Sequence, residues 1–410
     1  MARLVLKGGS VFDGTGSPPA VRDIVIEDGR FAEPGAARPD DTVADVTGHL
    51  VVPGLINTHV HVVGCAPTLE ERLRTPFSYQ FYASLPILDD LLSGGMTTAR
   101  DLAGADAGVR QALADGTIEG PRLQIAIEAL SPTGGHIDAW LPSGLDAFEY
   151  YLPHPARPHG VVDGAAEIRT RIRELLRAGA DLIKICTTNG GVWPRKNYLP
   201  AHFRDDELAA VMAEARTAGV PVAAHAQGAE GVKNAVRAGV TSIEHGTHLD
   251  REAVDLMAEH GTWFVPTLAR TCGILDKPEV AARVGKDKLV QAQRIAEAHA
   301  ESFRLATEAG VRIAMGTDMF GGEFLDELHY MSEFGLNSTE TLAASTSGAA
   351  ELLGLSDTVG RIAPGMAADL VVLDGEALTF SRLRSRIRAV VQNGGCVRGE
   401  LPAATPHEKS

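Results

Sequence analysis

LLRAGADLIKI, residues 175–185, is a helical run that ends at Gly179 and gives way to an apolar run broken by a single charge, Lys184. Glycine supplies the left-handed residue that closes a helix, and an unbroken apolar run after it reads as a strand buried on both faces, the mark of a parallel sheet. The same phrase recurs as LLSGGMTTARD (91–101), IEGPRLQIAIEAL (118–130), ARTAGVPVAAHA (215–226), AVRAGVTSIEHG (235–246), AEHGTWFVPTL (258–268) and ATEAGVRIAMGTD (306–318). With LVVPGLINTHVHV (50–62) as the first strand, eight strands alternate with helices and no dinucleotide fingerprint accompanies them. That periodicity predicts an α/β fold, a (β/α)8 TIM barrel rather than a doubly wound sheet.

Outside the repeats the pattern changes. Residues 1–52 show short alternating strands broken by Gly and Asp (LVLKGGSVFD, DIVIEDGRF, TVADVTGHLVV), and similar runs return in LVVLDGE and AVVQNGGCVRGE. These read as an antiparallel sheet. The expected organisation is a barrel over 53–360 inserted into a small β-sandwich built by both termini, 1–52 and 361–410, with a frayed tail after about Pro402. Two barrel connections, about 64–92 and 131–165, are long enough to be lids. They carry Phe77, Tyr79, Phe81, Tyr82, Trp140, Phe148, Tyr150 and Tyr151. These rings suit a substrate with an apolar part, or simply pack the lid onto the barrel.

A net charge of −15 and a pI near 5.4 disfavour nucleic acid and anionic membranes as partners. No apolar run approaches a membrane span, and the start of the chain lacks the pattern of a secretory leader, so the expected setting is cytoplasmic. Cys65, Cys186, Cys272 and Cys396 form no CxxC pair, which predicts reduced and mostly buried thiols.

The chemistry lies at the ends of the strands, where a barrel carries its functional residues. His59 and His61 are two apart on strand 1, so both rings can face one metal ion. Lys184 interrupts an apolar strand; a buried amine either pairs with a carboxylate or is held neutral, and a neutral amine can take up CO2 to become a carbamate. His225 and His245 end strands 5 and 6, and Asp318 ends strand 8. Together, His59, His61 and Asp318 can hold one ion, His225 and His245 a second, with carboxylated Lys184 between them.

The motifs VVPGLINTHVH, HAQG, IEHG, GTD and GRIAPGMAADLVVLD, with the strand-4 lysine, resemble the amidohydrolase superfamily over nearly the whole chain. LSPTGGHIDAW and KICTTNGGV resemble its prolidase-like branch of Xaa-Pro dipeptidases and carboxypeptidases. The resemblance implies two Zn2+ ions, with Mn2+ or Co2+ able to substitute, a carbamate on Lys184, a bridging hydroxide as nucleophile, and a homo-oligomer. It further implies that Asp318 passes a proton to the leaving amine and that His136, in the SPTGGH turn, donates to the developing oxyanion. A purely structural hydrogen bond is the alternative for His136. Trp193, Arg195 and Tyr198 follow strand 4 and are candidate substrate contacts, as is Gln227, which replaces the Tyr or His frequent in relatives; Asn57 replaces an acid. His248 reads as structural, and His154, His159 and His202 take no role.

The expected substrate is a small-molecule amide, a dipeptide or N-acyl amino acid. Neutral xenobiotic amides, carbamates or aryl ureas are the first alternative, and cyclic amides the second. A non-catalytic binding module would be marked by a missing ligand, and none is missing.

Overall fold

Sixteen strands occur among the described residues of the computed structural model, which are 3–35, 38–64, 69–141, 143–144, 154–190, 197, 199–273, 275, 286–319 and 324–403. The chain opens with β1 (Leu4–Val11), β2 (Ala20–Glu27), β3 (Arg30–Ala32), β4 (Thr42–Asp45) and β5 (His49–Pro53). Next come β6 (Leu55–Val60), β7 (Met96–Asp101), β8 (Arg122–Ile125), β9 (Ala129–Leu130), β10 (Ile183–Cys186), β11 (Val222–Gly228), β12 (Ser242–His248) and β13 (Trp263–Val265). The last are β14 (Leu370–Asp374), β15 (Ile387–Gln392) and β16 (Gly395–Gly399). Two compact units result: Met1–Asn57 with Asp89–Thr98 and Gly322–Ser410, and Thr58–Leu88 with Ala99–Gly321.

In the first unit both ends of the chain enter one eight-stranded sheet, ordered β16-β15-β14-β5-β1-β2-β3 with β4 also on β1. Its apolar residues form one cluster that includes Leu6, Ile24, Phe31, Val51, Leu370, Val372 and Val391. Alternation along each strand explains this, since every second residue faces the cluster. The sheet is not wholly antiparallel as expected. After β3 the chain crosses over, so β4 and then β5 run parallel to β1, pairing Leu4–Lys7 with Thr42–Asp45 and Ser10–Val11 with Leu50–Val51.

In the second unit the strands β10, β11 and β13, which follow glycine phrases, are buried throughout, and β12 is buried up to His248. The helices Asp205–Ala218, Ala229–Ala238 and Arg251–His260 each end on a left-handed glycine. Strands β9 to β13 form a parallel sheet in sequence order, and β6, β7 and β8 a second sheet. This is less than the closed eight-stranded barrel the repeats predict, in two places. The third predicted strand breaks into β8 and β9 at Ile127, whose φ of 70° no extended ladder accommodates. The eighth predicted strand, 311–318, keeps one bridge to β13, Ile313 to Phe264. Hydrogen bonds still cross these openings: Asp181 N to Ile125 O (2.8 Å) and Ile125 N to Asp181 Oδ2 (2.9 Å) at the first, and Thr58 N to Met315 O (2.9 Å) with Thr317 N and Asp318 N to His59 O (3.2 and 2.9 Å) at the second. Gly316 permits the second passage, because a Cβ there would meet Val265 Cγ1 and come within 2.7 Å of His59 Cβ. No described helix is long and apolar enough to cross a membrane.

Candidate active site

Parallel register brings the second unit's polar residues to one end of its strands. His225 on β11 lies opposite Glu244 on β12, and Cys186 on β10 lies opposite His225. His59 and His61 project from the end of β6 on one face, as residues two apart must. His59 Nδ1–H donates to Glu244 Oε2 at 2.8 Å and His61 Nδ1–H to the Ala103 carbonyl at 2.8 Å. Each bond leaves Nε2 to face Asp318 Oδ1, at 3.7 and 3.3 Å. The rings of His59 and His245 are 4.9 Å apart between centroids, and those of His225 and His245 4.5 Å. His245 Nδ1 is hydrogen-bonded to Thr267 Oγ1 (2.8 Å) and His225 Nε2 to the Asn189 carbonyl (3.3 Å), so each ring keeps one nitrogen for another partner.

Burial dominates the electrostatics. It pushes His59 down to about 4, with Lys184 adding to the effect, and takes His225 and His245 well below the ordinary imidazole value. Neutral imidazoles are the ligating form. For His61 burial acts in the same direction, but the neighbouring Asp318 outweighs it and raises the pKa. Asp318 is held well below the usual carboxylate range: burial opposes ionisation, and His61, His59 and Arg270 overcome it. Lys184 is 3 % exposed, its pKa is lowered chiefly by burial, and its Nζ has no hydrogen-bond partner among the described residues. Its charge is felt by His59, His225 and His245.

This donor set fits divalent metal. His59, His245 and Asp318 each offer an atom within 4.8 Å of the others, and a buried amine without a partner, set among neutral imidazoles, is where a carbamate would complete the set. The residues expected as ligands thus converge. His136 reaches the same place by stacking on His225, with centroids 4.1 Å apart and planes at 17°. Gly190 makes room for it: a Cβ there would collide with the His136 ring. Gln227 is buried at the end of β11, but its Oε1 lies 3.4 Å from Thr247 Oγ1 and is occupied within the protein. Trp193, Arg195 and Tyr198 lie outside the described residues, as do Cys65, Phe148, Tyr150 and Tyr151. Of the remaining lid aromatics, Phe77 and Phe81 pack on His154, and Phe77, Tyr79, Tyr82 and Trp140 are exposed. Cys186 is buried, its thiol pushed up to about 12, and among the described residues Cys186, buried Cys272 and exposed Cys396 form no disulfide.

Four residues that sequence reasoning passed over also shape the site. Glu244 and Thr267 hold the Nδ1 atoms of His59 and His245, Arg100 backs Glu244, and Arg270 Nε stands 3.5 Å from Asp318 Oδ2. An arginine inside the strand MTTARD, which follows a glycine-closed helix, is a charge in a strand position as Lys184 is.

The amidohydrolase family model matches residues 50–399. Ochratoxinase of Aspergillus niger is 33% identical over 318 residues, 75% of this chain, and that match spans 66% of the ochratoxinase's length. Its crystal structure aligns with a TM-score of 0.85 at 27% identity, covering 97% of this chain and 96% of that one. A prolidase complexed with N-methylphosphonate-L-proline aligns at 0.86 with 33% identity, over 97% of this chain and 100% of the other. A Xaa-Pro dipeptidase with bound methionine aligns at 0.84 with 30% identity, over the same shares. The likeness extends over nearly the whole chain rather than one motif, so the chain belongs to the amidohydrolase family, a metal-dependent hydrolase of carbon–nitrogen bonds related to prolidases and ochratoxinase.

Proposed function

We propose that this amidohydrolase cleaves the amide bond of a dipeptide or N-acyl amino acid at a pair of zinc ions. His59, His61 and Asp318 would hold one ion and His225 and His245 the other. Lys184 would bridge them after its neutral amine adds to CO2 and loses a proton, giving an anionic carbamate. The observation that carries this reading is the buried Lys184 Nζ, without a hydrogen-bond partner among the described residues, amid neutral imidazoles. Bound zinc supplies Lewis-acid polarisation and hydroxide at neutral pH. In the same reading the barrel domain spans residues 53–360, and 1–52 with 361–410 build the sandwich.

The chain's own groups account for orientation and proton transfer. Asp318 is ionised when substrate arrives, because His61, His59 and Arg270 favour its charge. It can therefore accept a proton from the nucleophile and deliver it to the leaving nitrogen. His136 donates to the carbonyl oxygen as negative charge develops there, braced by its stack on His225. Arg270 is a partly exposed guanidinium beside Asp318 and offers a substrate carboxylate a counter-ion.

A neutral amide, carbamate or aryl urea is the second reading, favoured by the uncharged and internally engaged Gln227. The test is a panel pairing each N-acyl amino acid with its carboxamide, incubated with zinc-loaded protein, with released amine read by mass spectrometry. Cleavage of the free acids at least about tenfold faster, on the order of 1.4 kcal/mol of discrimination, supports the first reading. Equal or faster cleavage of the neutral members would replace it with the second.

A further inference from the structure

Behind His59, on the side away from Asp318, lies a run of buried polar groups that the proposed reaction does not use. Glu244 is wholly buried; its Oε2 accepts from His59 Nδ1, and its Oε1 accepts from Arg100 Nη2 at 2.8 Å and from Ser242 Oγ at 2.6 Å. Arg100, 1 % exposed, is anchored in turn by Nε donating to the Thr58 carbonyl at 2.6 Å, one residue before His59. One carboxylate oxygen is thus saturated by two donors, and the other is left for a single imidazole. Burying such a pair costs more in desolvation than apolar side chains of the same volume would, so stability alone does not account for it.

The four imidazoles differ in what stands behind them. His61 donates to a backbone carbonyl, His245 is bonded to a hydroxyl and His225 to another backbone carbonyl. Among the described residues, His59 alone of the four rests its outer nitrogen on a carboxylate. A carboxylate behind an imidazole fixes the tautomer and makes the inner nitrogen a stronger donor.

We propose that the Arg100–Glu244 pair is a positioning device for the metal centre, locking His59 with Nε2 turned inward and strengthening its hold on one of the two ions. The inference rests on the metal-site reading above. Its signature is asymmetry: neutralising Glu244 should loosen the ion on His59 and leave the other in place.

The experiment is a zinc titration of the full chain against a chromophoric chelator, with ions per subunit counted by mass spectrometry. Wild type should hold two ions. Glu244→Gln, which keeps an acceptor for His59 but no charge, should weaken one by about 10- to 100-fold and leave the second unchanged. Because that variant leaves the Arg100 guanidinium buried without a counter-charge, the double variant Arg100→Met/Glu244→Gln is measured beside it, with the thermal midpoint of each metal-free protein as the control for folding. Arg100→Lys, which keeps the charge, should retain most of the affinity. A folded variant lacking Glu244 that binds both ions like wild type, or loses both equally, overturns the positioning role. A wild-type chain that takes up no zinc overturns the metal reading and this role with it.

Discussion

Gly190→Ala tests how tightly His136 is held. Gly190 does not have a positive φ, so alanine brings no backbone strain and its effect is steric. The added Cβ would lie 2.8 Å from His136 Nδ1 and closer still to Cε1, against about 3.4 Å for ordinary contact, so the ring must move by at least 0.6 Å at Nδ1 and more at Cε1. Its retreat is restricted by His225, on which it stacks with centroids 4.1 Å apart. A misplacement near 1 Å of a group that must meet a developing oxyanion costs on the order of 100-fold, or about 2.7 kcal/mol in the barrier. The assay is kcat/KM on the best substrate of the amide panel, with zinc content measured on the same samples. The expected result is a loss of about 100-fold with two ions still bound. Because the effect should pass through His136, Gly190→Ala/His136→Asn should be no slower than His136→Asn alone. Activity within a few-fold of wild type, or a double variant slower than His136→Asn, would refute the assignment of His136 to the reacting oxygen.

Other outcomes follow from the same geometry. Lys184→Ala should leave the chain folded with at least one zinc fewer per subunit, and unchanged metal content would remove the bridging role. Asp318→Asn should lower kcat by at least about 100-fold, the usual range for a positioned acid–base group, and near wild-type turnover would exclude it as proton carrier. Arg270→Met should reduce kcat/KM for free acids by at least tenfold more than for their carboxamides, on the order of one charge-assisted contact; a uniform loss would show that Arg270 serves Asp318 alone. Acid stability offers a separate check at His299, which is fully buried and pushed down to about 4. It is neutral when folded and protonated when unfolded below the ordinary imidazole value of 6.5, so stability should fall as pH drops from 6.5 through 4, by about 3 kcal/mol from this group. His299→Gln should flatten the thermal midpoint over that window in metal-free protein, and an unaltered slope would refute the account.

Much of this site can be read from the sequence because strand ends are where a parallel α/β architecture exposes its residues. Glycine-closed helices located the strands, and His59, His61, Lys184, His225, His245 and Asp318 each follow or interrupt an apolar run. What could not be read is where the backbone leaves its ordinary state. Ile127 splits a strand that composition alone would run straight through, with φ at 70°. The left-handed Asp318 (φ 53°) turns the end of the last segment out of ladder geometry, and Gly316 lies too close to Val265 and His59 for a side chain.

Glu244 is the sharpest case. Reading SIEHG as a strand places Glu244 and His245 on opposite faces, since the side-chain period is two. A carboxylate beside a candidate ligand would then be set aside as facing elsewhere. In the structure His245 takes φ 73°, and Thr267, which supports it, takes φ 56°. A left-handed conformation at a residue with a Cβ is unfavourable and persists only where surrounding contacts over-determine it. Here the reversal turns His245 toward His59, while Glu244, still in ordinary strand geometry, reaches the same imidazole from behind. Consecutive residues thus meet His59 at different edges, something no strictly alternating strand can do. The strained residue and the buried carboxylate therefore have a single explanation in the placement of His59.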